Sequence, residues 1–233
     1  MKDLFGKALL DYFEGNYSSD IITSTNISTE DILPLPYLFR DFKDMPAIEQ
    51  TALKQAYGKI LDVGCGAGSH SLYLQEQDHD VKAIDISPGA IDVSQKRGVK
   101  HVELLNVLDE NNKYDTLLLL MNGTGVFQTI KEVPKYLEHL KNLLTDKGQI
   151  LIDSSDLIYM YEDDDSGYWL DINSDYYGEL DYFISYKDEH EEPMQMLYLD
   201  INTLNDLCHG VGLKCELMVE GDHYDYLARL TPL

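Results

Sequence analysis

Basic residues are scarce in this chain of 233 residues: 18 Lys and Arg stand against 42 Asp and Glu, a formal net charge of −24. Nucleic-acid binding rests largely on neutralising phosphates with Lys and Arg, and a field of this sign repels polyanions at long range. DNA and RNA are therefore not expected among its partners. The acidity serves solubility in one reading and attracts a cationic substrate in another. Cysteine is scarcer still. Cys65, Cys208 and Cys215 are an odd number at unpatterned spacings and make no CxxC. That argues against a disulfide framework and a structural zinc site, so a reducing cytoplasm and no metal are expected. No window approaches the ~18 apolar residues of a membrane span, and the longest apolar run, Leu117 to Met121, suits a buried strand. The opening residues, Met1-Lys2-Asp3-Leu4-Phe5, lack the apolar core of a secretory signal. With no repeat and no low-complexity linker, one domain is expected over 1–233.

What is present falls into distinct textures. Residues 1–57 read as helical and irregular. Leu4, Phe5, Ala8, Leu9, Tyr12 and Phe13 recur at helical spacing, Ser28-Thr29-Glu30-Asp31 resembles a helix start, and Asp44-Met45-Pro46 reads as a cap followed by a first-turn proline. Residues 59–155 alternate strand and helix: strands near 59–63, 81–85, 101–106, 115–121 and 149–153, with helices at 69–77, 88–97 and 133–144 between them. That pattern means βαβ units and a parallel sheet covered on both faces. Residues 156–198 are rich in Tyr and Asp, and Leu180 to Tyr186 alternates as an antiparallel strand does. Residues 199–233 read as a helix near 202–209 and two strands joined by Gly221-Asp222.

The residues that carry chemistry are Asp62-Val63-Gly64-Cys65-Gly66-Ala67-Gly68. A buried strand runs into a glycine turn from which a helix leaves. Glycine lets backbone approach a ligand closely, the helix start offers unpaired N–H groups, and the first strand–helix turn of an open parallel sheet lies at its ligand-binding edge. Asp62, just before the loop, can accept hydrogen bonds from an ammonium group. Ser69 stands where a dinucleotide loop of form GxGxxG would have its third glycine or alanine. Asp85, about twenty residues on, can accept two hydrogen bonds from a ribose diol, a device shared with NAD enzymes.

The stretch from Ile60 to Asp153 resembles the core of class I, Rossmann-like S-adenosylmethionine-dependent methyltransferases, in particular the small-molecule methyltransferase-domain families of bacteria. The glycine segment matches their first motif and Ile84-Asp85-Ile86-Ser87 their second-strand acidic motif. Leu104-Leu105-Asn106-Val107 falls where the family usually has an Asp beside adenine, here Asn106. Lys113-Tyr114-Asp115 resembles the start of the family's fourth strand, and Asn122-Gly123 follows that strand. The resemblance implies an α/β fold: a doubly wound, mostly parallel seven-stranded sheet in the order 3-2-1-4-5-7-6, counted from the Lys59 strand. Its last strand is antiparallel, helices cover both faces, and a small antiparallel insertion follows strand five. It implies S-adenosylmethionine as cofactor, with Gly64, Cys65, Gly66 and Gly68 around its methionine part and Asp62 on its ammonium. Asp85 would bind the ribose, Ile86 lie against adenine, Asn106 and Val107 hold the adenine edge, and Met121 and Asn122 flank the reacting end. Pro36 to Arg40 is the expected lid, with Arg40 on the methionine carboxylate or else an ordinary surface arginine. Cys65 is expected to be a small buried side chain, not a nucleophile.

Asn122 and Asp153, at the carboxyl ends of strands four and five, are the candidate catalytic residues. Asp153 reads equally as a helix cap. Tyr168, Tyr176, Tyr177, Tyr182, His190 and His223 are further acid–base candidates. Residues 156–198, with Trp169 and the run Glu162 to Asp165, are read as a substrate cover or as a dimer contact or solvated loop, which leaves a homodimer open. The expected activity is methyl transfer to a small-molecule acceptor. The alternatives are an NAD(P)-dependent oxidoreductase and a non-catalytic S-adenosylmethionine-binding partner protein.

Overall fold

A run of consecutive apolar residues in a strand is buried on both faces, and Leu117 to Leu119, in the middle of this chain, is such a run. The computed structural model describes residues 2–162 and 176–233; the expected roles of Asp163 to Asp165, Tyr168 and Trp169 lie outside the described residues. The chain begins with helix α1 (Leu4–Phe13), strands β1 (Ile21–Thr25) and β2 (Asp31–Leu33), and helices α2 (Leu35–Leu38) and α3 (Ala47–Gln55). Then come β3 (Lys59–Val63), α4 (Ser69–Glu76), β4 (Asp80–Asp85), α5 (Pro88–Arg97), β5 (Val102–Leu104), β6 (Tyr114–Leu119), α6 (Val133–Asn142) and β7 (Leu144–Ser155). The last part supplies β8 (Glu179–Tyr186), β9 (Glu189–His190), β10 (Met194–Leu197), α7 (Ile201–Gly210), β11 (Leu213–Glu220) and β12 (Asp225–Pro232).

The main sheet runs β5-β4-β3-β6-β7-β12-β11. Neighbours from β5 to β7 are parallel, and β12 is antiparallel to both β7 and β11. Counted from β3, this is the expected order 3-2-1-4-5-7-6. Alternate side chains divide the core. Leu61, Leu117, Leu119, Ile150 and Ile152 pack with the α6 face of Val133, Tyr136, Leu137 and Leu140. Ile60, Leu118 and Leu151 pack on the other side with Ile48, Ala52 and Leu53 of α3. Burying each such side chain contributes about 1.5–3 kcal/mol. Among the described residues no helix is long and apolar enough to cross a membrane.

The first 57 residues are not the run of helices expected. Ser28 to Asp31 lies in and just after the turn of a hairpin. Ile21-Ile22-Thr23-Ser24-Thr25 is rich in β-branched side chains, which suit a pleated strand. Thr25 Oγ1 accepts from the N–H groups of Ile27 and Ser28 at 3.1 and 3.0 Å, so the Ser/Thr cluster closes a turn instead of starting a helix. The hairpin is part of a second, antiparallel sheet of order β10-β8-β1-β2, with β9 against β8. Ile21 lies opposite Tyr186 and Thr25 opposite Tyr182. The insertion after the fifth parallel strand is thus antiparallel, as expected, but it completes its sheet with the N-terminal hairpin. At α3, Asp44 ends a short 3₁₀ turn (Phe42–Asp44), Pro46 holds the cap position, and no side chain caps the helix.

Helix α1 is tied to the start of α5. Asp3 accepts from Gly6 N–H at 2.9 Å within its own helix, and from Ser87 Oγ and Gly89 N–H at 2.8 Å across to α5. One carboxylate thereby satisfies two helix N-termini. The backbones cross so closely that a Cβ on Gly89 would lie 2.5 Å from the Gly6 Cα. This docking brings Phe5 to the glycine loop.

Candidate active site

Parallel pairing sets Val63 beside Ile84, so the ends of β3 and β4 open at the same edge. The chain then turns through Gly64, Gly66 and Gly68, at φ +75°, +52° and +82°, a region L-residues with side chains seldom occupy. Gly64 and Cys65 N–H both donate to Ile84 O, at 2.9 and 3.1 Å. A Cβ on Gly64 would meet nothing within 4 Å, and on Gly66 only Phe5 at 3.8 Å. Both face open space. Gly68 is turned the other way: a Cβ there would lie 2.8 Å from Val99 and 2.9 Å from Ser94, so this glycine permits helix packing. Cys65 is buried, and burial pushes its thiol well above the usual range.

Asp85 closes the loop from the second strand. Its Oδ2 accepts from Gly66 N–H at 2.9 Å and its Oδ1 from Ser87 N–H at 2.8 Å. Burial raises its pKa against those N–H groups. A carboxylate has about four acceptor sites, so both oxygens keep capacity for a ligand. Beside it Ile86 is 71% exposed, a bare apolar side chain next to a fixed carboxylate. Asn106 caps the next turn, its Oδ1 accepting from Leu108 N–H at 2.9 Å. Val107 is buried in the core, and its carbonyl lies 2.8 Å from His139 Nε2. Asp62 is buried behind the loop, where it accepts from Ser71 Oγ at 2.6 Å; burial raises its pKa, opposed by His70 and Ser71.

Arg40 is 8% exposed and not a surface arginine. Its guanidinium lies 3.8 Å from the Tyr37 ring centroid, donates to the Tyr37 carbonyl and pairs with Glu49. Glu49 in turn meets His70 Nε2 at 2.7 Å. Burial works against charge on both members of that pair. For His70 the Glu49 hydrogen bond and the fields of Asp62 and Glu49 outweigh it, and the imidazole pKa is raised. For Glu49 the bonds and charges of His70 and Arg40 outweigh it, and the carboxyl is lowered. Among the described residues the buried Arg40 Nε–H has no hydrogen-bond partner; Ser19 Oγ and Tyr114 OH, which do not line this loop, are the other two such atoms. Sequence reasoning missed Glu49 and His70. A signal existed for the first, since Glu49 lies with Ala52, Leu53 and Ala56 at i, i+3, i+4 and i+7, on the apolar stripe of α3.

Three adjoining cavities open at this edge. One of about 200 Å³ is lined by Arg40, Gly64, Gly66, His70, Leu120 and Met121, among others. A second, about 350 Å³, is lined by Asp85, Ile86, Ser87, Met194 and Met196. Phe5 and Leu33 line both. The third, about 740 Å³, shares Thr23, Leu33 and Tyr182 with the second. Leu33 therefore sits where all three meet, and the hairpin absent from the sequence reading is their common wall. Phe5 of α1, and Leu38 and Arg40 of the segment expected as a lid, line the small cavity together with the loop.

The two candidate catalytic residues are both engaged within the protein. Asp153 accepts from Met121 N–H at 2.9 Å and Gly123 N–H at 2.8 Å, and burial pushes its pKa up to about 6. It clamps a turn in which Met121 and Asn122 adopt φ of +65° and +62°. Asn122 accepts from Thr124 Oγ1 at 3.1 Å and donates to Leu197 O at 3.3 Å, turned into the protein. Tyr176 and Tyr177 bond Asp200 and Asp156, at 2.6 and 2.7 Å, and His190 bonds Ser185 at 2.7 Å. Tyr182 and His223 line the 740 Å³ cavity. Asp153→Ala is expected to cost about 2–4 kcal/mol of stability, since two charged hydrogen bonds disappear. It should also weaken S-adenosylhomocysteine binding about tenfold by releasing Met121. Unchanged unfolding temperature and affinity would instead point to a role confined to turnover.

Comparison with known proteins identifies the family and the fold. The sequence profile of a family described as "Methyltransferase domain" matches residues 37–217. A solved S-adenosylmethionine-dependent methyltransferase from Bacteroides fragilis, in complex with S-adenosyl-L-homocysteine, is 43% identical with a TM-score of 0.93, covering 99% of this chain and 95% of that one. The CcbJ methyltransferase from Streptomyces caelestis, 13% identical with a TM-score of 0.63, covers 81% of this chain and 90% of that one and shares the fold alone. The malonyl-[acyl-carrier protein] O-methyltransferase of Serratia marcescens is 30% identical over 93 residues, 40% of this chain. This chain's match spans 36% of that curated relative's length.

Proposed function

The chain belongs to the methyltransferase-domain family and uses S-adenosylmethionine, and we propose that the loop, Asp85 and Arg40 hold this cofactor for methyl transfer to a small molecule. The observation that carries the assignment is the unpartnered Arg40 Nε–H. A buried charged donor without an acceptor is costly, and the cofactor's carboxylate is the acceptor that the small cavity can admit. Asp85 takes the ribose hydroxyls, and Ile86 lies against the adenine in the second cavity. S-adenosylmethionine supplies a methyl group on a positively charged sulfur, and the acceptor's lone pair bonds to that carbon as the carbon–sulfur bond breaks, its electron pair staying on sulfur. The protein's part is to hold the partners in line, which can supply about 7–11 kcal/mol of the barrier. The oxidoreductase alternative is set aside by the family match.

Calorimetric titration tests the assignment. S-adenosylmethionine and S-adenosylhomocysteine are expected to bind at micromolar concentration and NADH not at all. Methylthioadenosine, which lacks the carboxylate, should bind at least tenfold more weakly, the value of a charge-assisted hydrogen bond. Equal binding of methylthioadenosine would remove Arg40 from the site, and heat from NADH alone would overturn the cofactor.

A further inference from the structure

The 740 Å³ cavity has no part in holding the cofactor in the assignment above. Its floor includes Ser155 and Leu157, at and just beyond the carboxyl end of β7, and the second sheet contributes Thr23, Leu180 and Tyr182. It meets the cofactor cavity at Thr23, Leu33 and Tyr182. A concave space at the carboxyl edge, continuous with the cofactor pocket, is where a second reactant reaches the methyl group. The second sheet, which brings residues from both ends of the chain together, is what encloses it.

The lining states what that reactant carries. Glu30, Asp31 and Asp225 contribute carboxylates, and among the described residues no Lys or Arg lines the cavity. Asp31 accepts from Ile32 N–H at 2.8 Å and Asp225 from His223 N–H at 3.0 Å, and neither pairs with a Lys or Arg of the described residues. Elsewhere on the chain acids do meet bases, as Glu189 does Lys2 and Lys7, and Asp11 does Lys187. Aromatic rings complete the wall: Tyr159, Tyr182 and Tyr198 line the cavity, and Tyr159 stacks on Tyr224 with centroids 4.9 Å apart. Burial holds the Tyr182 and Tyr198 phenols above their usual range, so they remain neutral. Carboxylates free of cations, set among neutral aromatic rings, favour an organic cation by charge and by ring quadrupole. They repel an anionic acceptor, and a neutral one gains hydrogen bonds from them but no charge attraction.

We infer that this cavity takes the methyl acceptor and that the acceptor is a small organic amine, bound as its ammonium with its carbon frame against the tyrosines. The inference rests on the methyltransferase assignment above. The ammonium gives its proton to bulk water, and the nitrogen pair so freed forms the bond to carbon already described. The acidity of the whole chain, −24, adds a long-range field that raises the local concentration of such a cation.

The test uses the full chain saturated with S-adenosylhomocysteine and two sets of probes matched in frame and differing in charge. These are 2-phenylethylamine, 2-phenylethanol and 3-phenylpropanoate, and hexylamine, hexanol and hexanoate. In at least one set the amine is expected to bind tenfold or more tightly than both analogues. In the triple variant Glu30→Gln, Asp31→Asn, Asp225→Asn that preference should fall below threefold while S-adenosylhomocysteine affinity is unchanged. Binding of neither amine, equal or tighter binding of the alcohols or acids, or a preference that survives in the variant would overturn the amine acceptor. Any of these with S-adenosylhomocysteine still bound strikes this inference alone. Loss of S-adenosylhomocysteine binding by the unaltered protein would strike the assignment beneath it.

Discussion

Asp85→Ala is expected to weaken S-adenosylhomocysteine binding about 100- to 1000-fold. Two effects combine. The carboxylate is the acceptor proposed for two ribose hydroxyls, and hydrogen bonds to a charged group are each worth about 1.5–3 kcal/mol. It also tethers the loop, through Gly66 N–H at 2.9 Å and Ser87 N–H at 2.8 Å, so its loss frees the glycine turn whose open face admits the ligand. At about 1.4 kcal/mol per decade, the ribose bonds alone account for the lower figure. Asp85→Asn should fall between, because one carboxamide oxygen survives while the new NH₂ confronts a loop N–H. The pH dependence has a definite sign. Burial raises the Asp85 pKa above its ordinary 3.8, so acidification protonates it sooner than an exposed carboxylate and affinity falls on the acid side. Calorimetry decides the matter. A loss under tenfold, accompanied by a lower unfolding temperature, would leave Asp85 a structural tether and remove it from the ribose.

The elements that determine this site differ in how far local sequence reveals them. The glycine turn and the helix at 88–97 were legible, because each is dictated by neighbouring residues: Ser87 caps α5 and Pro88 holds its first position. Ser87 Oγ does accept from Ala90 N–H, at 3.0 Å. The strand order followed from a resemblance, not from periodicity. The hairpin was missed although Ile21 to Thr25 carries strand-prone side chains. Its partner β8 begins more than 150 positions later, and a Ser/Thr/Asp cluster serves a helix start or a turn equally well. Asp153 was legible as a carboxylate with a catalytic or a capping role, but not as the clamp of the turn after β6. The Met121 and Gly123 N–H groups that fill it come from a turn whose left-handed geometry Asn122 permits but Met121 does not announce. Arg40 was legible as a ligand candidate, while the Glu49 and His70 that fix it lie on separate helices brought together only by the sheet.

That chain of buried charges leads to the second large effect. Glu49→Leu is expected to cost about 3–5 kcal/mol, since it strands the Arg40 guanidinium and the His70 imidazole without their common carboxylate. Against a typical total of about 5–15 kcal/mol, this is a large fraction, and at about 2–4 °C per kcal/mol the unfolding midpoint should fall by about 6–20 °C. The double variant Arg40→Met, Glu49→Leu should recover most of the loss, because removing both members of a buried pair is far cheaper than removing one. It should not recover affinity for S-adenosylhomocysteine, which separates stability from carboxylate binding. The pH signs follow from the two shifts. The lowered Glu49 pKa contributes stability above its unfolded value near 4.5, lost as pH falls through the folded value. The raised His70 pKa contributes stability fully present below its unfolded value near 6.5, lost as pH rises through the folded value. Both contributions are complete between about pH 4.5 and 6.5. The gap in unfolding midpoint between the unaltered protein and Glu49→Leu should be widest there and narrow toward alkaline pH. A gap that does not change across neutrality would mean that His70 carries no charge in the fold, and that Glu49 holds Arg40 alone.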